Sequence, residues 1–167
     1  MCVRNGLIFS KIDPIPTTEP SANEQLTITI LDNDKQLLYI STLYCPEGKP
    51  SDEIINGLCN GRTNNILTGD FNSKCTYFGN RKDTPRGERL RDTTLRNGLT
   101  LINDDTPTYR DRNTGEEEIL DFIFLSPPML QKYNDFWVGE DLGSDHSVTV
   151  CVLAYTPLYD TTPNRTV

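Results

Sequence analysis

The sequence predicts a mixed α/β domain, and three patterns predict it. Apolar runs with the two-residue alternation of strands recur along the chain, two segments between them carry apolar residues at helical spacing, and Gly-, Pro-, Asn- and Asp-rich turns separate the two kinds. A length of 167 residues fits one domain with one core, and 35% apolar residues makes that core modest. We expect the domain to occupy residues 1–155, with residues 156–167, rich in Pro and Thr, as a tail or linker.

Gly6 to Phe9 is a short apolar run suited to a strand, whereas Lys11 to Glu24, with Pro14, Pro16 and Pro20, reads as loop. Gln25 to Leu31 alternates Leu26, Ile28 and Ile30 with Thr27 and Thr29, the period of a strand with two different faces. Asp32-Asn33-Asp34 turns this strand into Gln36 to Leu43, so the two form a hairpin that ends at Tyr44. Ser51 to Cys59 supplies a helix N-cap in Ser51, acids in the first turn, and Ile54, Ile55 and Leu58 on one face. That helix leads into the strand Asn65 to Thr68.

Ser73 to Pro85 is a polar loop holding Tyr77 and Phe78, and Arg86 to Asn97 reads as a surface helix stopped by Gly98. Leu99 to Ile102 is a brief strand. Asp104 to Glu118 reads as a long polar loop with a turn at Asn113-Thr114-Gly115. Three more strands are expected at Ile119 to Leu125, Asn134 to Gly139 and Ser147 to Tyr155.

Chemistry concentrates at strand ends. Gly69-Asp70-Phe71-Asn72 places a carboxylate and a carboxamide two residues apart, which on an extended chain means one face, with Phe71 turned into packing. Taken alone, the octet Asn65 to Asn72 is more readily a strand followed by an ordinary turn than a site. Asp121 sits inside an apolar run, where an unpaired carboxylate is expensive, so it is expected to be paired, hydrogen-bonded or functional. His146, the one histidine of the chain, follows Asp145 in a turn at a strand's start.

Net charge −8 argues against a partner held chiefly by counterion release from phosphates. Charge is uneven, however: Lys74 to Arg112 holds nine Lys and Arg against six acids, a basic stretch after the Asp/Asn pair that is either a solvated helix face or a surface for a polyanion. Five scattered cysteines without CxxC spacing indicate neither a zinc site nor a disulfide framework and suggest reduced thiols in an intracellular protein. No apolar stretch is long enough to span a bilayer, and the N-terminus lacks a signal core, so neither a membrane partner nor secretion is expected.

In order along the chain, Gly69-Asp70-Phe71-Asn72, Tyr77-Phe78-Gly79, Arg86-Gly87-Glu88-Arg89-Leu90, Leu99-Thr100-Leu101-Ile102-Asn103, Pro107-Thr108-Tyr109, Leu120-Asp121-Phe122-Ile123 and Ser144-Asp145-His146 resemble the endonuclease/exonuclease/phosphatase superfamily. Within it the likeness is to the apurinic-like endonuclease domain of LINE-type non-LTR retrotransposons, and it covers about residues 25–155. The resemblance implies a DNase I-like two-sheet sandwich flanked by helices, here incomplete at its N-terminus. It implies hydrolysis of DNA phosphodiester bonds with magnesium or manganese, and a reverse transcriptase domain downstream in the full-length element, acting in the nucleus.

Residue by residue, Tyr44 resembles the tyrosine that contacts the phosphate, and Asp70 and Asn72 the pair that handles the attacking water and the scissile phosphate. His146 resembles the essential histidine oriented by Asp121, and Asp145 and Asp70 the metal-associated carboxylates. Thr108 and Arg86 are expected on the DNA-binding side. Such hydrolysis needs a water-positioning base, a divalent ion and a donor to the phosphoryl oxygens, and hard oxygen ligands suit magnesium.

The chain also departs from the family pattern. Family domains begin with a strand bearing an asparagine, and a later strand supplies the glutamate that is the principal metal ligand; Met1 to Asn5 corresponds to a strand well inside such a domain. Cys75 and Phe78 stand where related elements often carry histidine and tryptophan. A truncated, catalytically dead fragment with weak nucleic-acid binding is therefore an alternative expectation, and a phosphomonoesterase or phospholipase of the same superfamily is a second. The incomplete sheet leads to an expectation of marginal stability or aggregation.

Overall fold

A computed structural model describes residues 3–4, 6–18, 21–46, 51–140 and 142–159. Ten strands and three helices follow in the order β1 (Phe9–Ile12), β2 (Glu24–Leu31), β3 (Leu37–Tyr44), α1 (Asp52–Cys59), β4 (Asn65–Asp70), α2 (Pro85–Arg96), β5 (Thr100–Leu101), β6 (Tyr109–Arg110), β7 (Glu117–Glu118), β8 (Asp121–Leu125), α3 (Pro127–Leu130), β9 (Tyr133–Val138) and β10 (Thr149–Leu153). Strands β1-β2-β3-β4-β8-β5 make one six-stranded sheet; β9 and β10, and β6 and β7, form separate two-stranded ribbons.

The β2–β3 hairpin pairs in full register from Glu24↔Tyr44 to Leu31↔Leu37. β3 and β4 run parallel, because the chain between them crosses over through α1. The Ser51 hydroxyl accepts from the Ile54 amide at the start of that helix, as an N-cap should. β8 then enters antiparallel to β4 and completes the centre of the sheet.

Alternation along β4 and β8 sorts their side chains onto two cores. On one face Leu67, Phe122 and Phe124 pack with Ile54, Ile55 and Leu58 of α1, Leu90 of α2, and Phe71 and Phe78. On the other, Ile66, Ile123 and Leu125 pack with Ile28, Ile30 and Leu38, Met129 of α3 and Phe136 of β9. The first core is built on Phe71, Phe78, Phe122 and Phe124, whose ring centroids lie 4.7–5.9 Å apart. Each such buried ring contributes roughly 1.5–3 kcal/mol. A sheet with α1 and α2 on one face, and a second, small sheet with α3 on the other, is the expected sandwich.

Three local readings differ from the structure. The first strand is Phe9–Ile12, not Gly6–Phe9, because β2 offers its edge to Phe9, Ser10, Lys11 and Ile12. The expected long loop Asp104 to Glu118 is folded around the β6–β7 ribbon: the Asp111 carboxylate accepts from the amides of Asn113 and Thr114 and builds the turn that pairs its arms. The short helix α3, opened by consecutive prolines, carried no periodic signal to read. Of the expected tail, residues 156–159 are described and are tied down, with Leu158 N–H donating to Leu31 O at 2.8 Å and Leu7 bridging Tyr159; 160–167 lie outside the described residues, as do Met1, Cys2 and Asn5.

Candidate active site

At the carboxyl ends of the parallel pair, Tyr44 stands beside Asp70, and Asp121 of β8 stands on Asp70's other side. Register partners share a face, so the three side chains project together. Gly69 makes the approach possible: at φ +144°, a Cβ there would lie 1.9 Å from the carbonyl oxygen of Leu43.

Asp70 and Asn72 do meet, but not through strand periodicity. β4 ends at Asp70, Phe71 is fully buried, and Asn72 takes a left-handed φ of 47°. The resulting Asx turn has Asn72 N–H donating to Asp70 Oδ1 at 3.0 Å and the Asn72 amide donating to Asp70 Oδ2 at 2.9 Å. The same amide donates to Cys45 O at 3.2 Å, and since a carbonyl only accepts, the NH2 end must face it. The backbone N–H and one side-chain amide hydrogen of Asn72 thus fix the Asp70 carboxylate, while the other amide hydrogen anchors Asn72 to Cys45 O.

His146 comes from a different part of the chain. Its Nδ1 lies 2.8 Å from Asp121 Oδ2. An ionised carboxylate only accepts, so Nδ1 carries the proton and Nε2 is the nitrogen turned away from Asp121. Three contacts with Thr108 and β6 hold this segment: Arg110 N–H donates to Asp145 O at 2.8 Å, Ser147 N–H donates to Thr108 O at 2.8 Å, and the Tyr109 ring lies 4.9 Å from the imidazole. Asp145 is exposed, its carboxylate accepting from the Ser144 hydroxyl at 3.3 Å.

The electrostatics follow from this crowding. Burial pulls the imidazole of His146 down, but the hydrogen bond and charge of Asp121, with Asp70 and Asp145 behind, outweigh it and leave the pKa raised above 6.5. Burial and then the neighbouring charge of Asp121 raise Asp70, against the hydrogen bonds of Asn72 and the influence of His146. The Cys45 thiol beside them is pushed up to about 12, chiefly by burial and then by Asp70, so it is no nucleophile.

Of the remaining expected residues, Arg86 is exposed in the first turn of α2 and shares a cavity with Asn72. Thr108 is fully buried, and its hydroxyl accepts from the amides of Leu120 at 3.0 Å and Asp121 at 3.0 Å. It therefore sets the backbone that carries Asp121 and does not itself reach a substrate. Two residues with no role expected from the sequence, Asn103 from a matched motif and Asn80, share this work. The Asn103 side chain donates to Asp121 O and accepts from Ile123 N–H, both at 2.9 Å, and Asn80 makes the same two-way clasp on Ile119. An asparagine in a loop gives no sign of which distant strand its amide will clasp.

Among the described residues, no three His, Cys, Asp or Glu side chains converge as a ready-made metal cage. Magnesium does not require one, since it keeps several waters and takes one or two carboxylates. Asp145, exposed, and Asp70, each of whose oxygens accepts one hydrogen bond and keeps a second lone pair, are hard-oxygen donors of the right chemistry.

A carboxylate-oriented histidine facing an Asp-Asn pair at the ends of sheet strands, on this fold, defines a DNase I-like domain of the nuclease and phosphodiesterase type. The chain belongs to the endonuclease-reverse transcriptase family, whose model matches residues 38–150. Among solved structures it is similar to the endonuclease domain of TRAS1, a telomere-specific non-LTR retrotransposon, at 25% identity and a TM-score of 0.73, over 88% of this chain and 67% of that one. The 3'-5' exonuclease from Neisseria meningitidis (16% identity, TM-score 0.62, 87% of this chain and 70% of that one) and an AP endonuclease from Leishmania major (15%, 0.59, 92% and 62%) share the fold. No curated protein sequence matches the chain. Among the described residues no helix is long and apolar enough to cross a membrane.

Proposed function

We propose that the domain hydrolyses DNA phosphodiester bonds with a divalent cation, magnesium or manganese, as the endonuclease of a retrotransposon whose reverse transcriptase acts with it in the nucleus. The observation that carries the reading is the 2.8 Å Asp121–His146 pair next to the clasped Asp70–Asn72 turn. His146, whose protonated form Asp121 favours, turns Nε2 to the phosphate and in that form donates to an oxygen on which charge develops. Asp70 accepts a proton from the attacking water, and Asn72 holds it in one rotamer. The exposed Tyr44 hydroxyl lies on the same face, where it donates to a phosphoryl oxygen. Asp70 and Asp145 would hold the cation, which when bound neutralises charge on the transition state.

Plasmid nicking with magnesium tests this. The folded protein converts supercoiled DNA to open circles, and His146→Ala slows that by about 100-fold or more. Supercoiled DNA left intact by the folded wild type sinks the proposal. Release of inorganic phosphate from a 3'-phosphorylated hairpin with no nicking moves the substrate class to phosphomonoesters.

A further inference from the structure

Beside the catalytic turn lies a cavity of about 470 Å³ lined by Asn72, Lys74, Lys82, Thr84, Pro85 and Arg86. Three of its six lining residues are cationic and none is acidic, in a chain of net charge −8. Such a concentration of one sign within a concave wall focuses the field and draws anions. Asn72 joins this cavity to the proposed catalytic groups, so whatever fills it lies next to the scissile position.

The wall is built, not incidental. The amide and hydroxyl of Thr84 both donate to Lys74 O, at 2.9 and 2.8 Å, and pin the Lys74 segment to the start of α2. Gly87 allows that contact, since a Cβ there would lie 2.0 Å from the same carbonyl oxygen. Lys74 is half-buried and ion-paired with Glu118, which fixes its side chain on one border of the cavity. Lys82 and Arg86 are exposed and supply the positive charge that faces solvent.

We propose that this cavity is a subsite for a backbone phosphate of DNA flanking the one at the catalytic turn, with Lys82 and Arg86 as its ligands. The inference rests on the phosphodiesterase reading and adds to it where the strand runs: from His146 past Asn72 toward the first turn of α2. Arg86 presents a planar fork suited to phosphate oxygens, and Lys82 a point charge. Neither reads a base, so the subsite fixes register without sequence preference.

The test is binding of a short fluorescent DNA duplex to the full chain, followed by anisotropy over a series of salt concentrations without divalent metal. Lys82→Gln and Arg86→Gln are each expected to weaken binding several-fold on any duplex sequence and to lower the slope of log affinity against log salt by about 0.9. Lys11→Gln, on the far edge strand, is the control that leaves both unchanged. Wild-type binding with the same slope in both cavity variants overturns the subsite and leaves the nuclease reading standing. Slopes reduced in the variants, in a protein that nicks no plasmid, support the subsite and overturn the catalysis. Absence of any salt-dependent binding overturns both.

Discussion

His146 keeps a raised pKa against the pull of its own burial because Asp121 accepts its Nδ1 proton at 2.8 Å. In Asp121→Asn the charged acceptor is gone, so the imidazole pKa falls. The chain has one histidine, and NMR titration of its ring protons reads that value without assignment; an unchanged pKa would show that Asp121 does not set it. Stability moves with the same group. A histidine whose folded pKa lies above its unfolded value binds more protons in the native state, so its contribution is complete below 6.5 and is lost as pH rises through the raised value. Asp70, also raised, has the same sign at lower pH, above its ordinary 3.8. The wild-type urea midpoint should therefore decline as pH climbs from 6.5, and His146→Ala should flatten that decline; equal slopes in both proteins would refute it.

At the scale of elements, the site is a meeting of two strand ends and one ribbon. Thr108 opens the β6–β7 ribbon, and its hydroxyl receives the amides of Leu120 and Asp121 just where β8 begins. Thr108→Val keeps the shape and strands two buried amides, at about 1–3 kcal/mol each. Urea unfolding should show that loss, and Thr108→Ser should recover most of it. A Val variant as stable as wild type would mean the amides find other partners. From sequence the Thr108 segment was legible as part of a conspicuous motif but not as support for Asp121. A hydroxyl's partner twelve residues away depends on how the intervening turn at Asp111 closes.

The whole molecule is unevenly finished. Its six-stranded sheet has cores on both faces, while β9 and β10 pair only with each other among the described residues. Phe136 and Cys151 of that ribbon face the core, and Trp137 and Val152 are exposed. Open backbone edges flanked by exposed apolar side chains invite association. The protein should self-associate as its concentration rises, and Trp137→Lys should reduce this in sedimentation velocity runs; a wild type that stays monomeric throughout would contradict it.

Most of the strands, the two longer helices with the end signals of Ser51 and Gly98, and the residue types of the site were determined by the sequence, because alternation, helical spacing and cap chemistry are local and depend on a few neighbouring residues. Asp121 was legible for the same reason: a carboxylate inside an apolar strand must have a partner. What only the tertiary structure decided is who that partner is and how the groups meet. The Asp70–Asn72 pair depends on a left-handed Asn72 rather than strand alternation, His146 reaches Asp121 through a ribbon that read as loop, and Thr108 turned inward. Each of these is a contact across sequence separation, set by strand register and by the close approach that Gly69 permits, which no local pattern encodes.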